Sequence, residues 1–154
     1  MPYAVYACQG IYARPGRPRD YTSWMPVRTR RWNDPPAADD GFRLLVCRLR
    51  PRGVAKAGEP WDDWWPDLGP SRALLDDFHG KRRAAIAWDE YVPRYLDEMR
   101  GAAQVWRIRD LARRVAGGET VTLLCSSACT DPARCHRTLL ASLVTAAATR
   151  AGRA

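Results

Sequence analysis

Apolar positions along the chain fall into two rhythms. Short apolar runs occur at Tyr3 to Tyr12, Met25 to Trp32, Phe42 to Leu49 and Val121 to Cys125. β-Branched and aromatic runs of this length predict strands. Leu44 to Cys47 and Val121 to Cys125 are continuously apolar, the pattern of a strand covered on both faces. Met25 to Trp32 carries proline and arginines, which suits the edge of a sheet.

The second rhythm is helical. Ser71 is placed as an N-cap ahead of Leu74, Leu75 and Phe78, with Gly80 ending a short helix. A second helix is expected over about Ala84 to Arg100, where Trp88, Tyr91, Tyr95, Leu96 and Met99 share a face. Pro93 predicts a kink or break within it. A third is expected over about Ala103 to Ala116, closed by Gly117 and Gly118. Asp131-Pro132 is read as the start of a final helix, with proline at its first position.

Strands separated by helices predict one domain over residues 1–154. Its expected class is α/β, a three-layer domain with a small, mainly parallel sheet and a helix-rich middle long enough for a right-handed crossover. Residues 13–40 read as a basic, proline-rich loop region and 150–154 as a frayed tail. The connection holding Trp61, Trp64 and Trp65 reads as a loop that covers the sheet.

Composition narrows the class. No stretch approaches the roughly 20 apolar residues of a membrane helix, and the N-terminus lacks a secretory pattern, so cytoplasm is the expected compartment and no membrane partner is expected. Five cysteines is an odd number, which favours free thiols, metal ligands or a nucleophile over a disulfide framework. A net charge of +8 favours an anionic partner, such as a nucleotide, nucleic acid or phosphorylated small molecule. Asp62-Asp63 and Asp76-Asp77 read as solvated faces, and His79 as a complement to its helix dipole.

The candidate chemistry gathers between Thr120 and Leu140. Three of the five cysteines and one of the two histidines lie there. Cys125 falls at a strand's carboxyl end, where open parallel sheets bind ligands. Ser126, Ser127, Ala128, Cys129 and Thr130 are small, so their amides could approach an anion. Cys135, His136 and Arg137 follow in the first turns of the helix. The strand ending near Leu49 runs into Arg48, Arg50 and Arg52, and two parallel strands would bring both loops to one edge. Guanidinium groups there hold phosphate or carboxylate well.

Three roles stay open for the cluster. Cys125 or Cys135 is a nucleophile with His136 as acid or base and Arg48, Arg50, Arg52, Arg137, Ser126 and Ser127 binding the anion. Alternatively, Cys125, Cys129, Cys135 and His136 bind zinc, although adjacent Cys-His ligands are awkward. In the third, the thiols pack as small apolar groups. The function these residues favour is an enzyme acting on a nucleotide, a nucleic-acid component or another phosphorylated substrate. The alternatives are a non-enzymatic nucleic-acid-binding module using the N-terminal arginines and exposed tryptophan, and a metal-binding protein. No cofactor or oligomeric state is implied.

Four stretches carry a family resemblance from about Arg31 to Val144. They are NDPPAADDGFRLLVCRLRPRG, DLGPS at Asp67 to Ser71, the W-x2-Y-x3-Y pattern from Trp88 to Tyr95, and LLC…DPARCHRTLL. On these the chain resembles the YeaO-like proteins of the domain-of-unknown-function family 488. The resemblance implies a compact α/β domain and assigns no activity. YeaO-like members usually carry Asp at the position of Cys47 and Trp at that of Arg50. A glutamate often stands where this chain has Ser127.

Overall fold

The computed structural model describes residues 26–153. The expected strand Tyr3 to Tyr12, with Cys8, and the basic segment up to Trp24 lie outside them. Four strands form one sheet among the described residues: β1 (Val27–Arg31), β2 (Phe42–Leu45), β3 (Asp63–Trp64) and β4 (Val121–Cys125). Their spatial order is β1-β4-β2-β3, and every pairing is parallel. The fold is therefore α/β, as the alternation of patterns predicts.

The most apolar run takes the interior. Every residue of β4 is buried, and it pairs Arg31 with Cys125 on one side and Leu45 with Leu124 on the other. The arginine-bearing β1 lies at the edge, half-buried. Ladder pairing in β2 stops earlier than the apolar run. Leu45 is its last strand residue, although Val46 still donates to the Leu124 carbonyl at 3.0 Å. Beyond it the chain turns away toward Pro51, which has no amide hydrogen to give.

Four α-helices follow the expected order: α1 (Arg72–Phe78), α2 (Trp88–Glu98), α3 (Ala102–Ala116) and α4 (His136–Ala151). Ser71 caps α1, its hydroxyl accepting from the Leu74 amide at 3.1 Å. The structure departs from the sequence reading at several points, first at Asp63–Trp64, a short strand within the tryptophan-bearing connection expected to be a loop. Helix α2 begins at Trp88 rather than near Ala84, because Ala87 stays extended and serves as its N-cap. It also runs unbroken through Pro93. The carbonyl that proline leaves without an amide is that of Asp89, which is exposed to water. Finally, Asp131-Pro132 opens a separate 3₁₀ turn, Pro132–Arg134, and α4 starts only at His136. At its other end α4 continues into the expected tail as far as Ala151.

The sheet separates two apolar clusters. Leu44, Val46, Val121 and Leu123 pack against Tyr91, Tyr95, Leu111, Leu140 and Val144 from the helices. On the other side, Leu45, Cys47 and Leu124 pack against Trp61, with Trp32, Val54 and Trp64 at its margin. That covering layer is loop rather than helix. Trp61 and Trp65 are buried, which makes them sheet cover rather than a stacking platform.

The carboxylates read as solvated faces are in part structural. Asp76 is buried within reach of Arg72, Lys81 and Arg82. Asp62 accepts from the Arg43 amide at 2.8 Å, and Asp63 from the Trp65 indole at 2.8 Å.

Candidate active site at the carboxyl edge

A cavity of about 570 Å³ opens where β2 and β4 end. The parallel pairing of these strands forces both following loops to one edge. Arg48, Arg50 and Arg52 line it together with Cys125, Ser126, Ser127, Cys129, Cys135 and His136. Its apolar walls include Trp32, Leu75, Phe78 and Tyr91, and His79 also reaches it. The size and the mixed lining are those of a small-molecule pocket.

The centre of the cavity floor is set by one imidazole. His136 is the first residue of α4 and is buried against Tyr95, ring centroids 5.6 Å apart. Its Nε2 lies 2.8 Å from the Val46 carbonyl oxygen. A carbonyl only accepts, so Nε2 carries the proton and Nδ1 presents a lone pair. That lone pair faces Cys125 Sγ at 3.8 Å. Burial pushes the His136 pKa down and keeps the ring neutral.

Three further thiols crowd the same point. Cys125 Sγ lies 3.3 Å from Cys129 Sγ and 4.0 Å from Cys47 Sγ. Cys135 caps α4 with extended backbone, φ −135° and ψ 138°. All four described cysteines are free. Cys129, the least buried of them, is held far below the ordinary thiol range, because Cys125 and then Cys135 donate to its sulfur, helped by the charge of Arg137. Cys125 and Cys135 are pushed up correspondingly: the former first by Cys129, the latter first by Cys125.

The arginines divide by what they already hold. Arg48 donates to the carbonyls of Pro70 and Gly69, both at 3.0 Å. Gly69 is required there: a Cβ on it would stand 2.5 Å from the Arg48 amide nitrogen. Arg50 is paired with Glu59 at 2.6 Å and lies over the Trp61 ring. Arg52 is exposed and has no side-chain partner among the described residues. Arg137 is only 4% exposed and stands outside the cavity wall. It bonds the Cys129 carbonyl at 3.4 Å, while its Nε and Nη1 have no partner. It supports the thiol loop from behind.

The small-residue loop is a poorer amide cradle than its sequence implies. The amides of Ala128, Cys129 and Thr130 are engaged by Ser126 Oγ, Ser126 O and Ala128 O at 3.2, 3.0 and 3.0 Å. Ser127 is exposed, and its carbonyl receives Arg31 at 3.4 Å. The positive lining therefore rests chiefly on guanidinium groups.

Among the lining residues that the sequence pattern does not single out, Arg134 and Tyr91 carry polar groups of interest. Arg134, in the 3₁₀ turn, is exposed and reaches the cavity; the signal was its place two residues before His136. The helical stripe places Tyr91 in the core. It packs on Trp88 and Phe78, ring centroids 4.9 and 4.7 Å away, yet also lines the cavity. Burial above all pushes its pKa up, so its hydroxyl stays protonated. The signal was a tyrosine at a position that phenylalanine would fill equally well.

A family model described as the active DUF488-N3 subclade matches residues 27–148. The chain belongs to this family. The DUF488-N3 match takes in all four strands and both loops of the cavity. The chain is 33% identical over 104 residues to the uncharacterized protein YeaO of Escherichia coli strain K12, covering 67% of the chain and 84% of that protein. It is 32% identical over 106 residues to the uncharacterized proteins Mb3100c of Mycobacterium bovis and Rv3073c of Mycobacterium tuberculosis, covering 69% of the chain and 82% of each. No solved structure matches it. No helix among the described residues is long and apolar enough to cross a membrane.

Proposed function

We propose that this DUF488-N3 member is an enzyme acting on a nucleotide or another small phosphorylated substrate by thiol chemistry. The observation that carries the reading is the meeting of the Arg48–Arg52 loop with Cys125 and His136 in one cavity. Arg52 and Arg134 take the phosphate, because neither is engaged by a carboxylate among the described residues. The aromatic wall of Phe78 and Tyr91 takes an apolar or ring-bearing part of the substrate.

Cys125 is the nucleophile in this reading and His136 its base. As sulfur attacks the electrophilic centre, the thiol proton passes to Nδ1, which the Val46 bond holds in place. The leaving group departs with the bonding pair and takes that proton. Water then releases the bound group and restores the thiol, with His136 again taking and returning a proton. The neutral resting imidazole fits a base that gains its proton only during attack.

The test is a panel of nucleoside mono-, di- and triphosphates and sugar phosphates incubated with metal-free, reduced protein, with products followed by mass spectrometry. Turnover of one of them, abolished by Cys125→Ser and weakened by Arg52→Ala, is the expected result. Turnover that survives Cys125→Ser but not Cys129→Ser would move the nucleophile to the outer thiol. Absence of both turnover and thermal stabilisation across the panel sinks the proposal.

A further inference from the structure

The cluster at the cavity floor also has the composition of a soft-metal site. We infer that Cys125, Cys135 and His136 bind one thiophilic divalent cation of the zinc type, with Cys129 as the fourth ligand. Sγ of Cys125, Sγ of Cys135 and a ring nitrogen of His136 all lie within 4.8 Å of one another. Bonds of about 2.0–2.3 Å in a tetrahedron put neighbouring ligand atoms roughly 3.3–3.8 Å apart. The 3.8 Å between Cys125 Sγ and His136 Nδ1 already meets that spacing, so a small contraction would close the set.

Adjacent Cys-His ligands are awkward on a regular helix, and the fold removes the difficulty. Cys135 is not helical: its φ of −135° and ψ of 138° place it in the extended region, and the helix begins only at His136. Neighbouring side chains in extended backbone diverge, whereas α4 carries the imidazole inward. Both ligand atoms therefore reach one point from the two sides of the helix start.

The imidazole is oriented from outside as well. Nε2–H is held by the Val46 carbonyl at 2.8 Å, the kind of outer bond that fixes the tautomer of a metal-binding histidine. Cys129 Sγ, 3.3 Å from Cys125 Sγ, is the neighbouring thiol that would complete a Cys₃His set. Three thiolates around a divalent ion leave one net negative charge. Arg137, nine-tenths buried with Nε and Nη1 unpartnered, stands behind the Cys129 carbonyl and balances it. The unused guanidinium hydrogens thereby gain a partner in the charged cluster. Binding releases the thiol protons to solvent.

The site does not depend on the thiol-enzyme reading. Only its consequence does: an ion on Cys125 removes the nucleophile, so metal loading would switch that chemistry off.

The experiment uses the full reduced chain, stripped with chelator and titrated with zinc and then cobalt. One zinc per chain retained through gel filtration, and the intense thiolate-to-cobalt absorption, are expected. Cys135→Ser and His136→Ala should weaken binding by more than the ten- to hundredfold cost of outer-shell changes. Cys129→Ser should weaken it less, and Cys47→Ser not at all. Substoichiometric zinc, or no cobalt-thiolate absorption in the wild-type protein, overturns the proposal without reference to any variant's folding. Binding that is unchanged in folded Cys135→Ser protein overturns it equally. Turnover by metal-free protein is measured separately, so failure of the thiol reading and failure of the metal site are told apart.

Discussion

His136 donates its Nε2–H to the carbonyl oxygen of Val46 across 2.8 Å. This one bond joins the start of α4 to the end of β2 and decides which ring nitrogen faces the thiols. A buried acceptor that loses its donor costs about 1–3 kcal/mol. His136→Phe is therefore expected to destabilise the protein by that amount, read as a lower urea midpoint at unchanged slope. Alkylation of Cys125 by iodoacetamide should also change, since the thiol loses its neighbouring lone pair. Unchanged stability would mean that the Val46 carbonyl finds water instead.

Gly69 is the contact point between the Asp67–Ser71 segment and the arginine loop. Gly69→Ala forces a Cβ against the Arg48 backbone, 2.5 Å from its nitrogen. Overpacking of this kind costs about 1–3 kcal/mol. The expected outcome is a lower melting temperature, because Arg48 is bonded to the same segment. A calorimetric scan showing wild-type stability would refute the close approach.

The opposite end of the sheet contributes to acid stability. Asp40 is 1% exposed, paired with Arg43 and with Arg30, the latter at 3.0 Å. Burial works against its charge, but the Ala37 amide and the two guanidiniums outweigh it and hold its carboxyl below the ordinary value of 3.8. A depressed carboxylate contributes stability that is present above its unfolded pKa and lost as pH falls through the folded one. Melting temperatures of the wild-type and Asp40→Asn proteins should therefore differ most near neutrality and converge below about pH 4. A gap that widens on acidification would reverse the sign and discard the pairing.

Arg52 and Arg134 are expected to act on ligand binding alone. Exposed charge pairs are worth about 1 kcal/mol or less, roughly a fivefold change in affinity. Arg52→Ala and Arg134→Ala should each lower affinity for a phosphate-bearing ligand by about that factor, without moving the melting temperature. A binder of nucleic acid through the N-terminal arginines instead predicts a steep salt dependence that both variants leave intact. Titration calorimetry at two salt concentrations separates the two.

Tyr91→Phe removes the hydroxyl of a cavity-lining residue while its ring keeps its packing. One hydrogen bond is worth about 1 kcal/mol, so ligand affinity should fall by roughly five- to tenfold at unchanged stability. A drop in stability with no effect on the ligand would place the tyrosine back in the core.

Much of this protein is set by local pattern. The apolar runs at Phe42 and Val121 become β2 and β4, the Ser71 cap starts α1, and the two parallel strand ends carry their loops to one edge. The strands and the cap follow from neighbours in sequence, through backbone geometry and alternation of polarity, and the α/β pattern makes the parallel pairing the expected one. What only the tertiary structure decides depends on groups far apart in the chain. Val46 selects the His136 tautomer across ninety residues. Glu59 and the Gly69 and Pro70 carbonyls engage Arg50 and Arg48, while Arg52 and Arg134 have no side-chain partner among the described residues. Tyr91 turns a core stripe into a cavity wall. The extended backbone at Cys135, which brings the Cys-His pair to one point, is likewise invisible in residue type. Burial and hydrogen-bond partners, rather than composition, determine which of several similar side chains stays free to act.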